Sequence, residues 1–269
     1  MTKILFEVTS MYLYNAYGLI ISSELKLNGL IEIFDVNPQI IIKYGNVPDA
    51  IDNPIVNNPR QQINQKEYRF DVKDIAIFYV YAGREIIIQK APNGHEGDIQ
   101  VFLMGTVFAY ILQYHEYLVL HGSAVLINNH AVIFSGESGA GKSTIAAAFA
   151  KKNHTVLTDD MVAIKYTDKA EIIPGWPRLK LWQDALDHFG EEASGLIPVQ
   201  NKIEKYEYPI NNINLQACPI SHFYELNPSD IDTISLTPVN DKIAGLNLLV
   251  KNTFRYHMLK GLQKNNLHF

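Results

Sequence analysis

Over the first hundred residues, apolar and polar positions alternate in short runs of strand length. Leu19 to Ser22, Gln39 to Lys43, Ile75 to Tyr81 and Arg84 to Lys90 are rich in β-branched or aromatic residues. Ala82-Gly83 between the last two predicts a tight hairpin. Asp52 to Glu67 reads DNPIVNNPRQQINQKE, and its Asn, Gln and Pro predict an exposed, mobile loop. The period then lengthens: Val101, Phe102, Gly105, Phe108, Ala109 and Leu112 recur at helical spacing behind Asp98, which is placed to cap a helix. Beyond it, Leu118 to Ile127 and His130 to Ser135 read as strands joined by Asn128-Asn129, residues that tolerate the positive φ of a type I′ turn. Thr144 to Lys152 reads as a helix of small and apolar residues, and Thr155 to Thr158 as a short strand. A hairpin that feeds the strand before a helix implies a mixed sheet. The expected class is therefore α/β (α+β), with a β-rich region over 1–113 and a second region over 114–269. Whether the first folds on its own is left open, and no internal repeat is present.

Composition narrows the function. The chain has 269 residues, one Cys and a net charge of -5. A single Cys218 excludes an internal disulfide and any CxxC zinc or redox site, and it fits a reducing, cytoplasmic compartment. The charge balance lacks the bulk positive charge that most nucleic-acid binders carry, so no nucleic-acid partner is expected. Val101 to Leu112 is the longest apolar stretch, well short of the roughly 18 residues of a membrane span. No membrane partner is expected. The opening MTKILFEVTS reads as neither a signal nor a transit peptide.

The chemistry concentrates in one block. Gly136-Glu137-Ser138-Gly139-Ala140-Gly141-Lys142-Ser143 satisfies GxxxxGK[ST], and Thr144 follows. Glycines let successive backbone N–H groups turn toward one point, and the following helix adds its positive N-terminal end. Lys142 would supply a cation for the β- and γ-phosphates, and Ser143 a hydroxyl for Mg²⁺. The loop follows an apolar strand and opens a helix, the context that this pattern requires, so a nucleotide phosphate site with Mg²⁺ is implied. Shortly beyond it, the strand VLT runs into Asp159-Asp160. Two carboxylates at that strand end are placed so that one accepts a proton from an attacking hydroxyl and the other holds Mg²⁺. Asp159 is taken as the base and Asp160, with Ser143, as the metal partner, and the two could exchange roles. His121, in LHGSAVLI, lies on the strand before the hairpin and could face the loop.

These three blocks together, LHGSAVLI, IFSGESGAGKST and LTDDMVAI, resemble the catalytic domain of HPr kinase/phosphorylase, which phosphorylates a serine of the phosphocarrier protein HPr. The resemblance implies a mixed-sheet phosphate-loop domain related to phosphoenolpyruvate carboxykinase. It places ATP on Gly136 to Thr144, and His121, Asp159 and Asp160 at the active site. The Gly-rich signature associated with phosphorolysis in that family is missing after the Asp pair. In its place stands Pro174-Gly175-Trp176-Pro177-Arg178-Leu179-Lys180-Leu181-Trp182. With YGLIISSELKL, YAGREIII and CPISHFYEL, this is similar to the HPr-kinase-like proteins of lasso peptide biosynthesis, which phosphorylate the C-terminal residue of a precursor peptide.

Arg178 and Lys180, two apart in an extended segment, share a side and could meet a nucleotide phosphate or a peptide carboxylate, or form a solvated strand face with the tryptophans in the core. Ser194 to Pro209, with Lys202 and Lys205, reads as a lid or a surface loop. The leading expectation is an ATP- and Mg²⁺-dependent peptide serine kinase with a ribosomal precursor peptide as partner. A serine kinase of HPr or another carrier protein, and a nucleotide-binding sensor or assembly module with little turnover, stand as alternatives. A homo-oligomer is compatible with either.

Overall fold

The β-branched runs of the amino-terminal half assemble into one sheet in the computed structural model, which describes residues 11–196, 198–199, 204–210, 212–229 and 233–262. The opening MTKILFEVTS and Lys202 lie outside the described residues. The strands are β1 (Tyr12–Ala16), β2 (Leu19–Ser23), β3 (Ile40–Tyr44), β4 (Val56–Asn58), β5 (Gln61–Ile63), β6 (Glu67–Val72), β7 (Ala76–Tyr81) and β8 (Glu85–Lys90). They lie in the order β1-β2-β3-β8-β7-β6-β5-β4. β3 runs parallel to β2 and β8, and the other pairs are antiparallel. Alternate side chains such as Ile40 and Ile42, Phe78 and Val80, Ile86 and Ile88 are buried, as a sheet covered on one face requires.

The Ala82-Gly83 hairpin forms as expected. Both residues have positive φ, 50° and 59°, and Arg84 N–H donates to Tyr81 O at 3.0 Å. The stretch from Asp52 to Glu67 departs from expectation, because β4 and β5 form a short hairpin inside it and Ile63 is fully buried. Its asparagines close turns: Asn58 Oδ1 accepts from the N–H groups of Arg60 and Gln61, and Asn64 Oδ1 from those of Lys66 and Glu67.

The helical period of residues 101–112 is also real, but it is not one regular helix. α1 (Glu96–Phe102) passes through a π-helical turn, Leu103 to Val107, into α2 (Phe108–Tyr114). Asp98 does not cap it. The helix starts earlier, after His95, so Asp98 sits in the first turn with Glu96, where a negative charge still suits the helix dipole. α2 is buried on all sides, between the first sheet and the second.

The second sheet contains β9 (Leu118–Ile127), β10 (His130–Gly136), β11 (Thr155–Thr158), β12 (Met161–Tyr166), β13 (Ala170–Ile172) and the strand Cys218–Leu226. Its order starts at β10 and continues through Cys218–Leu226, β13, β12, β9 and β11, and β10 also pairs with β9, so the sheet curls until it closes. The pairing of β10 with Cys218–Leu226 is parallel and the rest are antiparallel, which makes this a mixed sheet within a mixed α/β fold. Asn128 and Asn129 have φ of 49° and 62° at the β9–β10 turn. α3 (Lys142–Lys151) packs Ala146 and Ala147 against β10 and against the strand β14 (Leu179–Trp182). β14 leads into α4 (Gln183–His188) and pairs with β15 (Lys205–Tyr208). The stretch from Ser194 to Pro209 is thus in part a strand rather than a lid or loop. The Cys218–Leu226 strand is β16, and α5 (Lys242–Lys251) and α6 (His257–Gly261) complete the described chain. None of these helices is long and apolar enough to cross a membrane.

Core packing runs across the 113/114 boundary. Val119, Met161, Ala163, Met258 and Leu262 belong to the same buried cluster as the first sheet and α2. Tyr17, at a positive-φ turn between β1 and β2, is fully buried and donates its N–H to Pro174 O at 2.9 Å. Its ring fills the space where Gly175 has no side chain, since a Cβ there would lie 1.8 Å from the ring. Gly175→Ala is therefore expected to cost about 1–3 kcal/mol through overpacking. Urea unfolding checks it, and an unchanged midpoint would show that this contact yields without strain.

Candidate active site

One edge of β9 carries the site. β11 and β12 both pair with that edge, Thr158 opposite Ala124 and Met161 opposite His121, and the chain between them bends at Asp159-Asp160. Asp160 has φ of 70°, a conformation that Asp reaches more easily than most residues. Gly122 N–H donates to Asp160 O at 3.3 Å, and Thr158 Oγ1 donates to Met161 O at 2.7 Å, so the bend is pinned on both sides. Asp159 and Asp160 line a cleft of about 500 Å³.

The glycine-rich loop stands at the end of β10, on the other edge of β9. Gly136, Gly139 and Gly141 have φ of 138°, 84° and 92°, which explains why glycine recurs there. Glu137, Ser138 and Gly139 form the exposed lip, and Ala140 N–H donates to Glu137 O. Lys142, Ser143 and Thr144 open α3, and N–H groups in a first helical turn have no acceptor within the helix. The Lys142 ammonium is buried and folded back on the loop, donating to Gly136 O and Glu137 O at 3.0 and 2.7 Å. Burial lowers its pKa, against the pull of Asp160 and Asp159.

Loop and bend meet at Asp159. Its Oδ1 accepts from Ser143 Oγ at 2.8 Å and from Ser123 Oγ at 2.6 Å, and its Oδ2 accepts from Lys180 N–H at 3.0 Å. Burial and the charge of Asp160 raise its pKa above the ordinary carboxyl value in spite of these donors. Asp160 differs. Burial also works against its charge, but Lys180 and Lys205, with a hydrogen bond from Lys180, outweigh that and hold it at about 2. Lys180 Nζ pairs directly with Asp160, and Lys205 Nζ stands 4.0 Å from it. Adjacent carboxylates thus have opposite proton affinities, the split that divides a base from a permanent anion.

The remaining sequence candidates fall around this pair. His121 lines the cleft with its ring edge to Phe254, and burial and the Lys142 charge lower its pKa, so the imidazole is neutral near pH 7. Arg178 also lines the cleft. It is buried, stacked on Trp176 at 4.3 Å and paired with Glu207 at 2.6 Å, and among the described residues its Nε has no hydrogen-bond partner. Trp182 is half exposed, with Lys205 over its ring.

Several cleft residues carry no motif that could have announced them. Tyr17, the π-helical turn, and Lys251 to Arg255 reach the cleft only through the fold. Asn252 O accepts from His121 N–H at 2.8 Å, Phe254 N–H donates to Val119 O at 2.8 Å, and Thr253 bridges to Leu120, so this segment is an added strap along β9.

Among the described residues, no group of three or more His, Cys, Asp and Glu could hold a metal alone. Mg²⁺ does not require one, because it is commonly held by one or two carboxylates, a hydroxyl and substrate phosphates. Ser143, Asp159 and Asp160 fit that demand, and the orphaned Arg178 Nε and the free first turn of α3 fit an anion beside it.

Known proteins resemble this chain in part. A curated HPr kinase/phosphorylase of Lactobacillus delbrueckii subsp. bulgaricus is 30% identical over 99 residues, which is 36% of this chain and 29% of that protein. The solved HPr(Ser) kinase/phosphatase from Coxiella burnetii is 18% identical, with a TM-score of 0.28, covering 53% of this chain and 97% of that one. Residues 113–189, the span that holds His121, the glycine-rich loop, both aspartates, Arg178 and Lys180, match the model of the HPr Serine kinase C-terminal domain.

Proposed function

We propose that the protein is an ATP- and Mg²⁺-dependent kinase that phosphorylates a serine hydroxyl of a peptide, the C-terminal residue of a lasso peptide precursor being the best candidate. The observation that carries this reading is the hydrogen bond from Ser143 of the loop to Asp159 of the bend between β11 and β12. It joins a phosphate-type loop to a buried carboxylate of raised proton affinity, and a module that only bound nucleotide would gain nothing from burying that charge. The family match over 113–189 supports phosphotransfer to serine. It also keeps a carrier-protein acceptor as the second reading.

In this proposal residues 114–269 are the phosphotransfer region, and 1–113 supply Tyr17 and the π-helical wall against which the acceptor lies. Gly136 to Thr144 bind the nucleotide phosphates. Lys142 exchanges its two carbonyl acceptors for phosphate oxygens, at little cost because both are backbone groups of the same loop. Arg178 and Lys180 line the cleft and Lys205 stands beside Asp160, where they would meet a nucleotide phosphate. Mg²⁺, when bound, would be held by Ser143 and Asp160 and would offset charge on the phosphates. Asp159 takes the proton from the attacking hydroxyl, since a carboxyl with raised pKa is the stronger base of the two. His121, kept neutral, orients groups beside the pair.

Incubation with Mg-ATP and a peptide ending in Ser should add one phosphate, read by mass spectrometry, and Lys142→Ala should abolish it. Phosphorylation of folded HPr alone would install the second reading, and transfer by Lys142→Ala at the wild-type rate would remove the loop from the chemistry.

Asp159→Asn should lower the rate about 10²- to 10⁴-fold with smaller effect on nucleotide affinity. Since the pKa of Asp159 is raised, wild-type activity should fall on acidification at a pH above the ordinary carboxyl range. The residual activity of Asp159→Asn should lack that limb. A limb that persists unchanged would transfer the base role elsewhere.

Ser143→Ala and Asp160→Asn should each shift the Mg²⁺ requirement for ATP binding upward. Loss of Mg-ATP affinity in Asp159→Asn with retention in Asp160→Asn would exchange the two roles.

A further inference from the structure

The cationic side chains first suspected of gripping an acceptor are engaged: Arg178 with Glu207, Lys180 and Lys205 with Asp160. A different cation stands at the acceptor side. Arg255 is exposed at the mouth of the cleft, and among the described residues it has no carboxylate within ion-pair distance. It holds an uncommon backbone conformation for its type, φ 53°, which the strap on β9 imposes. On one side its neighbour Phe254 abuts His121, and the Arg255 charge is close enough to help depress the His121 pKa. On the other, Arg255, Phe102 and Thr106 are shared with a second hollow of about 170 Å³ that continues toward Arg60 and His257. Asp71, which borders that hollow, is paired with Arg69. The result is a trough that starts at the aspartate pair, passes the π-helical turn and ends at the Arg255 guanidinium, which lies 5.3 Å from the centre of the Phe254 ring and, among the described residues, has no carboxylate partner. Such π-helical distortions are frequent at functional sites.

We infer that Arg255 is the specificity-determining residue for the acceptor, holding a carboxylate of an extended peptide whose serine hydroxyl lies at Asp159. This rests on the phosphotransfer reading and names the acceptor chemistry of the same site. The carboxylate is the peptide's own terminus or an Asp or Glu side chain near the serine. A planar guanidinium suits either, since two parallel N–H groups match both oxygens.

Binding, rather than turnover, tests it. Fluorescence anisotropy of the full chain compares a labelled peptide ending in Ser as free acid, its C-terminal amide, and an amide with Asp placed after the serine. Arg255→Asn removes the charge while tolerating positive φ, and Arg255→Lys keeps the charge without the fork. The free acid should bind wild type about ten- to hundredfold tighter than the plain amide. Arg255→Asn should erase that difference, and Arg255→Lys should restore part of it. Recovery of affinity by the Asp-bearing amide would identify a side-chain carboxylate as sufficient, whereas failure to recover would identify the terminus. A carboxylate preference that survives Arg255→Asn, or the absence in wild type of any preference for the free acid or the Asp-bearing amide over the plain amide, would overturn the inference. Mass spectrometry of the same mixtures with Mg-ATP keeps the two readings apart. An Arg255-dependent preference without phosphate transfer sinks the kinase and leaves the clamp, and transfer without such a preference does the reverse.

Discussion

The buried carboxylate of Asp159 is where four segments of the chain are tied together. Ser123 reaches it from β9, Ser143 from the start of α3, Lys180 N–H from β14, and the bend between β11 and β12 supplies the carboxylate itself. A carboxylate taken out of water costs several kcal/mol unless donors replace its hydration, and three hydrogen bonds do so here. Among the described residues no cation pairs directly with it. That leaves its proton affinity raised while its neighbour Asp160, held by Lys180 and approached by Lys205, is depressed. The difference between two chemically identical side chains is therefore made entirely by their surroundings.

The curled second sheet places those surroundings. Because β9 is long, its first half pairs with β12, its second half with β11, and its other edge with β10. A single strand thus holds His121, Ser123, the loop at the end of β10 and the aspartate pair within reach of one another. Gly122 lies opposite that pair, where a Cβ would stand 2.8 Å from Phe134 O. Glycine there lets three backbones approach at the point where the site is assembled.

The first sheet contributes in a different way. It provides no motif, but Tyr17 supports the Pro174-Gly175-Trp176 segment, and Trp176 donates its indole N–H to Asn28 O at 3.1 Å. Arg178 stacks on that same tryptophan, so a cation of the second region is oriented by the first. The two regions share a core and share the walls of the cleft.

How much of this was legible in the chain depends on how local the cause is. The hairpin at Ala82-Gly83, the positive φ at Asn128-Asn129 and the period of the buried helical segment are consequences of neighbouring residues, and they were read correctly. The Asn-rich stretch was misread because side chains that cap turns and side chains that solvate a loop have the same composition. Asp98 was misplaced because a helix start is set by what the preceding residues pack against. Which aspartate carries the raised proton affinity, that Arg178 and Lys180 have acidic partners, and that Arg255 reaches the same cleft were decided only by tertiary structure. Burial and charge at those positions come from residues far away in the chain, and no local pattern encodes them.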